Sequence, residues 1–172
     1  MKIIAFAGSN SKTSINRKLA AYTAGLFQNA NVEVLDLNDY VMPLFSVDLE
    51  KEIATPPQVF QMLEKFSSAD LIILSLAENN GAYNAGFKNI FDWNSRTNAK
   101  QFQEKNMLLM ATSPGGRGGT TVLEIAKNAF PRYGANIKAT FSLPLFYDNF
   151  KDGAIVDPEK NAELIKIVES LS

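Results

Sequence analysis

The chain has 172 residues, enough for one domain with a substantial buried core. With a net charge of −1, nothing in the charge balance argues for binding nucleic acid or an anionic membrane surface. With no cysteine and no histidine, disulfides, thiolate nucleophiles, Ser-His-Asp triads and Cys- or His-ligated metal sites are all excluded.

In chain order, Lys2–Ala7 reads as a first apolar strand. Gly8 to Asn16 follow at once, and then an amphipathic helix with Ile15, Leu19, Tyr22 or Thr23, Leu26 and Phe27 on one side. Val32–Leu37 reads as a second strand, and Asn38–Pro57, with Pro43, Pro56 and Pro57, as a loop-rich surface connection. Val59, Met62, Leu63 and Phe66 recur at helical spacing. Asp70–Leu76 is a third strand with hardly a polar break. After Gly86 a helix carries Lys88, Asn89, Asp92 and Trp93, which suit either a subunit contact or a packed, capped helix. Asn106–Ala111 is a fourth strand; Leu123, Ala126, Phe130 and Tyr133 share a helical face; Asn136–Ser142 is a fifth strand. Asp157-Pro158-Glu159 opens the last helix, whose apolar side is Leu164, Ile167, Val168 and Leu171.

Strands that alternate with helices, and are apolar throughout, predict an α/β fold. The expected form is a doubly wound, five-stranded parallel sheet with helices on both faces, one domain over residues 1–172. No run approaches the ~18 apolar residues of a membrane span. Met1-Lys2 leads straight into a strand with no signal-peptide pattern, so a cytoplasmic protein is expected.

In open parallel sheets ligands bind beyond the C-terminal strand ends, which selects three loops. The first reads Gly-Ser-Asn-Ser-Lys-Thr-Ser-Ile-Asn over residues 8–16. Its backbone N–H groups, its hydroxyls and the positive end of the next helix suit a phosphate. It has neither Gly-x-x-x-x-Gly-Lys-[Ser/Thr] nor Gly-x-Gly-x-x-Gly, which favours a single terminal phosphate. For the same reason Asp36 is a weak candidate for a ribose-binding acid. The second loop, Ala77 to Gly86, is dense in asparagine, whose amide both donates and accepts. The third, Thr112 to Gly119, sets four glycines around Arg117, allowing backbone to approach a flat ligand. None of the three contains a nucleophile–base pair. Arg117 could meet a nicotinamide cofactor's phosphates or be solvated, and Phe45, Phe146 and Tyr147 could wall a ring pocket or pack.

Gly8-Ser9…Ser14-Ile15-Asn16…Leu19, Glu78-Asn79-Asn80-Gly81…Gly86-Phe87-Lys88-Asn89…Asp92-Trp93 and Ser113-Pro114-Gly115-Gly116…Gly118-Gly119 resemble, in order, three signatures of the NADPH-dependent FMN reductase family. The resemblance implies a flavodoxin-like fold and an FMN-dependent oxidoreductase. Such an enzyme passes electrons from NADPH or NADH through FMN to a small acceptor: a quinone, azo compound, flavin or metal oxyanion. It further implies that Ser9, Ser11, Ser14, Ile15 (through its backbone) and Asn16 hold the FMN phosphate. Glu78, Asn79, Asn80 and Gly81 would contact the ribityl chain and ring, and Ser113, Gly115 and Gly116 would face the isoalloxazine. Chemistry would sit on flavin N5, with no catalytic side chain and no metal. A homodimer or tetramer is implied, with the region of Asn84–Arg96 near the partner. The family's Pro-Glu-Tyr-Asn is Ala77-Glu78-Asn79-Asn80 here, and an arginine common in its phosphate loop is Asn10 or Ser11. The alternative is a flavodoxin-type electron carrier without NAD(P)H turnover, which the charge of −1 disfavours. A phosphate-binding domain that has lost flavin is a third reading.

Overall fold

Five parallel strands form the centre of the computed structural model, which describes residues 1–172. In chain order the elements are β1 (Lys2–Gly8), α1 (Ile15–Gly25), β2 (Asn31–Leu35), α2 (Val47–Glu52), α3 (Pro57–Ser68) and β3 (Leu71–Leu76). A hairpin of β4 (Glu78–Asn79) and β5 (Ala82–Tyr83) follows, then α4 (Ala85–Thr97), β6 (Lys105–Thr112), α5 (Thr120–Ala129) and β7 (Ala135–Leu143). The chain ends with α6 (Phe146–Asn149), a hairpin of β8 (Phe150–Lys151) and β9 (Ala154–Ile155), and α7 (Pro158–Leu171). The main sheet has the order β2-β1-β3-β6-β7. Strand order reverses at β1, so the crevice beyond β1 and β3 is the switch point where such sheets bind ligands.

Alternation along the strands divides the core in two. Ile4 and Phe6, Ile72 and Leu74, and Met107 and Leu109 face α3, α4 and α5. Ile3 and Ala5, Leu71 and Ile73, and Leu108 and Met110 face α1 and α7. Every residue of β3 is buried, as a central strand covered on both sides requires. The same period places Ser75 and Thr112 under the start of α1. No helix is long and apolar enough to cross a membrane.

Several boundaries differ from the sequence expectation, each for a local reason. β2 stops at Leu35 because Asp36 caps a 3-10 turn, Leu37–Tyr40, by accepting from Asn38 N–H at 2.9 Å. The Asn38–Pro57 connection is more structured than a bare loop: it holds that turn and α2, and it buries Leu37, Tyr40 and Met42. α5 ends at Ala129, and Phe130–Tyr133 continue as a 3-10 turn, since Pro131 has no N–H to extend the helix. Both short hairpins turn on left-handed pairs, Asn80-Gly81 (φ 52° and 74°) and Asp152-Gly153 (φ 51° and 84°). These are the Asn-Gly and Asp-Gly pairs that two-residue turns demand.

Candidate functional site

The three loops selected from sequence surround one cavity of ≈ 230 Å³ beyond β1, β3 and β6. Ser9, Ser11, Ser14, Ile15, Asn16, Glu78, Asn79 and Ser113 all line it, joined by Thr13, Thr112, Pro114 and Tyr147. The other expected site residues lie outside this lining. Asn80 and Gly81 form the hairpin turn, and Gly115 and Gly116 are exposed on the third loop.

The first loop is organised around the helix start. Ser14 is the N-cap of α1, its Oγ accepting from Arg17 N–H at 3.2 Å. Ser9 Oγ accepts from Ser11 N–H at 3.2 Å and tightens the preceding turn. The N–H groups of Lys12, Thr13, Ile15 and Asn16 have no acceptor within the protein. Unpaired amides at the positive end of a helix form an anion site. The only charged side chain in the lining is Glu78, so attraction for an anion comes from backbone dipoles and hydroxyls. Lys12, Arg17 and Lys18 flank a neighbouring groove that shares Thr13 and Ser14 with this cavity.

Asn16 has a different relation to the loop than its neighbours. It is 2% exposed, and its Oδ1 accepts from Ser75 Oγ at 2.7 Å and from Thr112 N–H at 3.0 Å. Its Nδ2 donates to Thr112 C=O at 3.1 Å. The side chain therefore bolts α1 to the ends of β3 and β6, leaving its backbone N–H as the group free for a ligand. Thr112 in turn donates its hydroxyl to Leu143 C=O at 2.6 Å, tying in β7. Sequence reasoning placed Thr112 in the third loop without seeing this role, because its partners are remote in the chain.

In the second loop the Glu78 carboxylate accepts from Val122 N–H at 3.2 Å. It thus serves a free amide at the start of α5, whose N-cap, Gly119, has no side chain to do so. Asn84 caps α4 and joins Asn79 to Asn10 through its amide. The polar spacing before an apolar helical run was the available signal for Asn84, which sequence reasoning did not place in the site. Tyr83 packs flat on Phe130, ring centroids 5.8 Å apart, and its buried hydroxyl has no partner. Burial pushes its ionisation up to about 12, with Tyr133 adding to the effect.

The third loop leans on α6. Phe146 N–H donates to Ser113 C=O and Leu145 N–H to Gly115 C=O, both at 3.1 Å. Gly118 is buried with φ 59°, and a Cβ there would lie 2.9 Å from the Pro144 backbone nitrogen. Arg117 is exposed. Of the aromatics weighed from sequence, Phe146 is core, Phe45 packs edge-on to Trp93, and Tyr147 is 65% exposed in the cavity wall. Asp36 pairs with Arg17 at 2.9 Å and is held below the usual carboxylate range, chiefly by its hydrogen bond from Asn38 N–H.

The α4 residues singled out from sequence divide between two roles. Asn89 accepts from Phe45 N–H at 2.8 Å and donates to Met42 and Pro43 carbonyls, while Trp93 Nε1 donates to Pro43 C=O at 2.8 Å. Together they strap the β2–α3 connection to α4. Lys88 and Asp92 form an i,i+4 ion pair on the outer face.

The chain is 33% identical over 147 residues to an uncharacterised protein of Mycoplasma pneumoniae, covering 83% of this chain and 86% of that one. It is 29% identical over 120 residues to a quinone reductase of Escherichia coli K12, covering 69% of this chain and 63% of the relative. Among solved structures, the flavoenzyme NAD(P)H:(acceptor) oxidoreductase FerB of Paracoccus denitrificans superposes with a TM-score of 0.77 at 22% identity, over 99% of this chain and 94% of that one. That likeness establishes the flavodoxin-like fold. The profile of one family, described as NADPH-dependent FMN reductase, matches residues 1–168, and the chain belongs to that family.

Proposed function

We propose that the cavity anchors FMN by its phosphate and that the protein carries electrons from NADPH or NADH through this flavin to a small acceptor. The observation that carries the reading is the cluster of unpaired N–H groups at Lys12, Thr13, Ile15 and Asn16, set beside the hydroxyls of Ser9, Ser11, Thr13 and Ser14 in one cavity. A phosphate fits that donor set, which has no acidic side chain of its own. Ser9, Ser11, Ser14 and the backbone of Ile15 and Asn16 would hold the phosphate. Glu78, Asn79, Asn80 and Gly81 on one side, and Ser113, Gly115 and Gly116 on the other, are left for the ribityl chain and ring edge.

Bound FMN supplies the hydride chemistry, which a chain without histidine or cysteine does not need to provide. The side chains position and exclude. Ser14 fixes the helix start, Asn16 locks that start to the sheet, and Glu78 holds the second loop against α5. Pro114 and Tyr147 wall one side. Quinones fit the acceptor class, in line with the name of the Escherichia coli relative, and azo compounds and free flavin remain in the same class. The exposed Lys88–Asp92 face of α4 is the surface on which a homodimer would form, and the working compartment is the cytoplasm. An absorbance spectrum of the purified protein before and after NADPH tests the central reading. A flavin band that bleaches on NADPH addition and returns with a quinone is expected. Protein that stays colourless and fails to bind added FMN would overturn it.

A further inference from the structure

We infer that Asn84 is a positioning residue that sets the hydrogen-bond polarity of the site, forcing Asn79 and Asn10 to present amide donors to a ligand. The inference rests on the flavin reading and adds the polarity with which the flavin edge is held.

The constraint begins in the backbone. Asn84 Oδ1 accepts from Gly86 N–H at 3.0 Å and from Phe87 N–H at 3.3 Å, capping α4. Only an oxygen can accept these two bonds, so the orientation of this amide is decided. Its Nδ2 then faces outward with two protons. One goes to Asn79 Oδ1 and the other to Asn10 Oδ1, both at 3.1 Å. Each of those side chains has its oxygen turned to Asn84 and its NH2 turned away, and neither NH2 has an acceptor within the protein. Asn79 lines the cavity beside the phosphate loop, and Asn10, flanked in sequence by Ser9 and Ser11 of that cavity, lines a second one. Gly86 makes room for the cluster: a Cβ there would lie 3.1 Å from Asn84 Oδ1 and 3.1 Å from Asn10 Cβ.

A rim built this way matches ligand atoms that carry lone pairs, such as carbonyl oxygens and unprotonated ring nitrogens. A ligand N–H at the same place would face another N–H. Donors beside such atoms favour the electron-rich reduced ring over the oxidised one, so the arrangement raises the midpoint potential of bound flavin.

The test is a double-mutant cycle read by FMN titration and by the midpoint potential of the bound flavin. Asn84→Ser keeps a capping hydroxyl but is too short to reach Asn79 or Asn10. FMN binding about tenfold weaker is expected, the loss of roughly one hydrogen bond, with a more negative potential. In a background that carries both Asn10→Ala and Asn79→Ala the same change should add little to either quantity. Equal effects in the two backgrounds, or no effect in either, would overturn the inference. If Asn84→Ser fails to fold, Asn84→Asp retains the acceptor for the α4 cap, and comparing the two backgrounds removes the influence of its added charge. Side-chain amide NMR of the apoprotein supplies an arm without flavin. Both Asn84 Nδ2 protons should be protected from exchange, one being released by Asn79→Ala and the other by Asn10→Ala. Free exchange of both in the parent would also overturn the inference. Intact protection in a parent that binds no FMN would instead overturn the flavin reading.

Discussion

At the residue scale, neighbouring polar side chains in one loop divide into cavity-facing and structural groups. Ser14 belongs to both, since its hydroxyl lines the cavity and caps α1. Ser14→Ala should weaken FMN binding at least tenfold in a fluorescence titration and cost about 1 kcal/mol in urea denaturation. Asn16→Ala removes three buried hydrogen bonds and leaves Ser75 and Thr112 unpaired. A loss of about 3 kcal/mol is expected, measurable in apoprotein and so independent of flavin. Tyr83→Phe removes a buried hydroxyl that has no partner and should stabilise the fold by about 1 kcal/mol. Because the Tyr83 ionisation is raised to about 12 in the folded state, its contribution to stability is intact below pH 10. It should be lost as pH climbs from 10 towards 12, an interval over which Tyr83→Phe should show a shallower decline. Ser9 and Ser14 were legible as loop and cap residues because their partners lie within three positions of them. The partners of Asn16 lie 59 and 96 residues away, and nothing local announces them.

At the element scale, helices and sheet strands were legible wherever their apolar period was long. Their ends were set by single side chains: Asp36 after β2 and Pro131 after α5. The β4–β5 hairpin carried its signal openly in Asn80-Gly81, but the same residues also suit a ligand loop, and two-residue strands are too short to show a period. Glu78 links this hairpin to α5 through Val122 N–H. Glu78→Ala should therefore lower stability by about 1 kcal/mol, and Glu78→Gln, which keeps an acceptor, should recover most of it. Hydrogen exchange at the Val122 amide would locate the effect, because loss of the cap exposes that N–H first.

At the scale of the whole molecule, flavin binding and folding are linked. FMN at about a hundred times its dissociation constant should add about 2.7 kcal/mol of stability, or roughly 5–10 °C in Tm. Differential scanning calorimetry should show that shift in the parent and, at the same FMN concentration, no more than about half of it in Ser14→Ala. The sequence by itself determined the inventory: apolar strands alternating with amphipathic helices, chemistry without histidine or cysteine, and three polar loops each following a strand. Those are properties of neighbouring residues, and the periods of strand and helix express them directly. The tertiary structure decided what the inventory could do. The strand order β2-β1-β3-β6-β7 brings residues 8–16, 77–79 and 112–114 around one cavity, while the turn at Asn80-Gly81 and the exposed Gly115-Gly116 stay outside its lining. It also decided which polar groups remain free for a ligand. Each amide or hydroxyl that finds a partner across the fold is withdrawn from binding, as in Asn16, or fixed as a donor, as in Asn79 beside the loop of Gly8–Asn16.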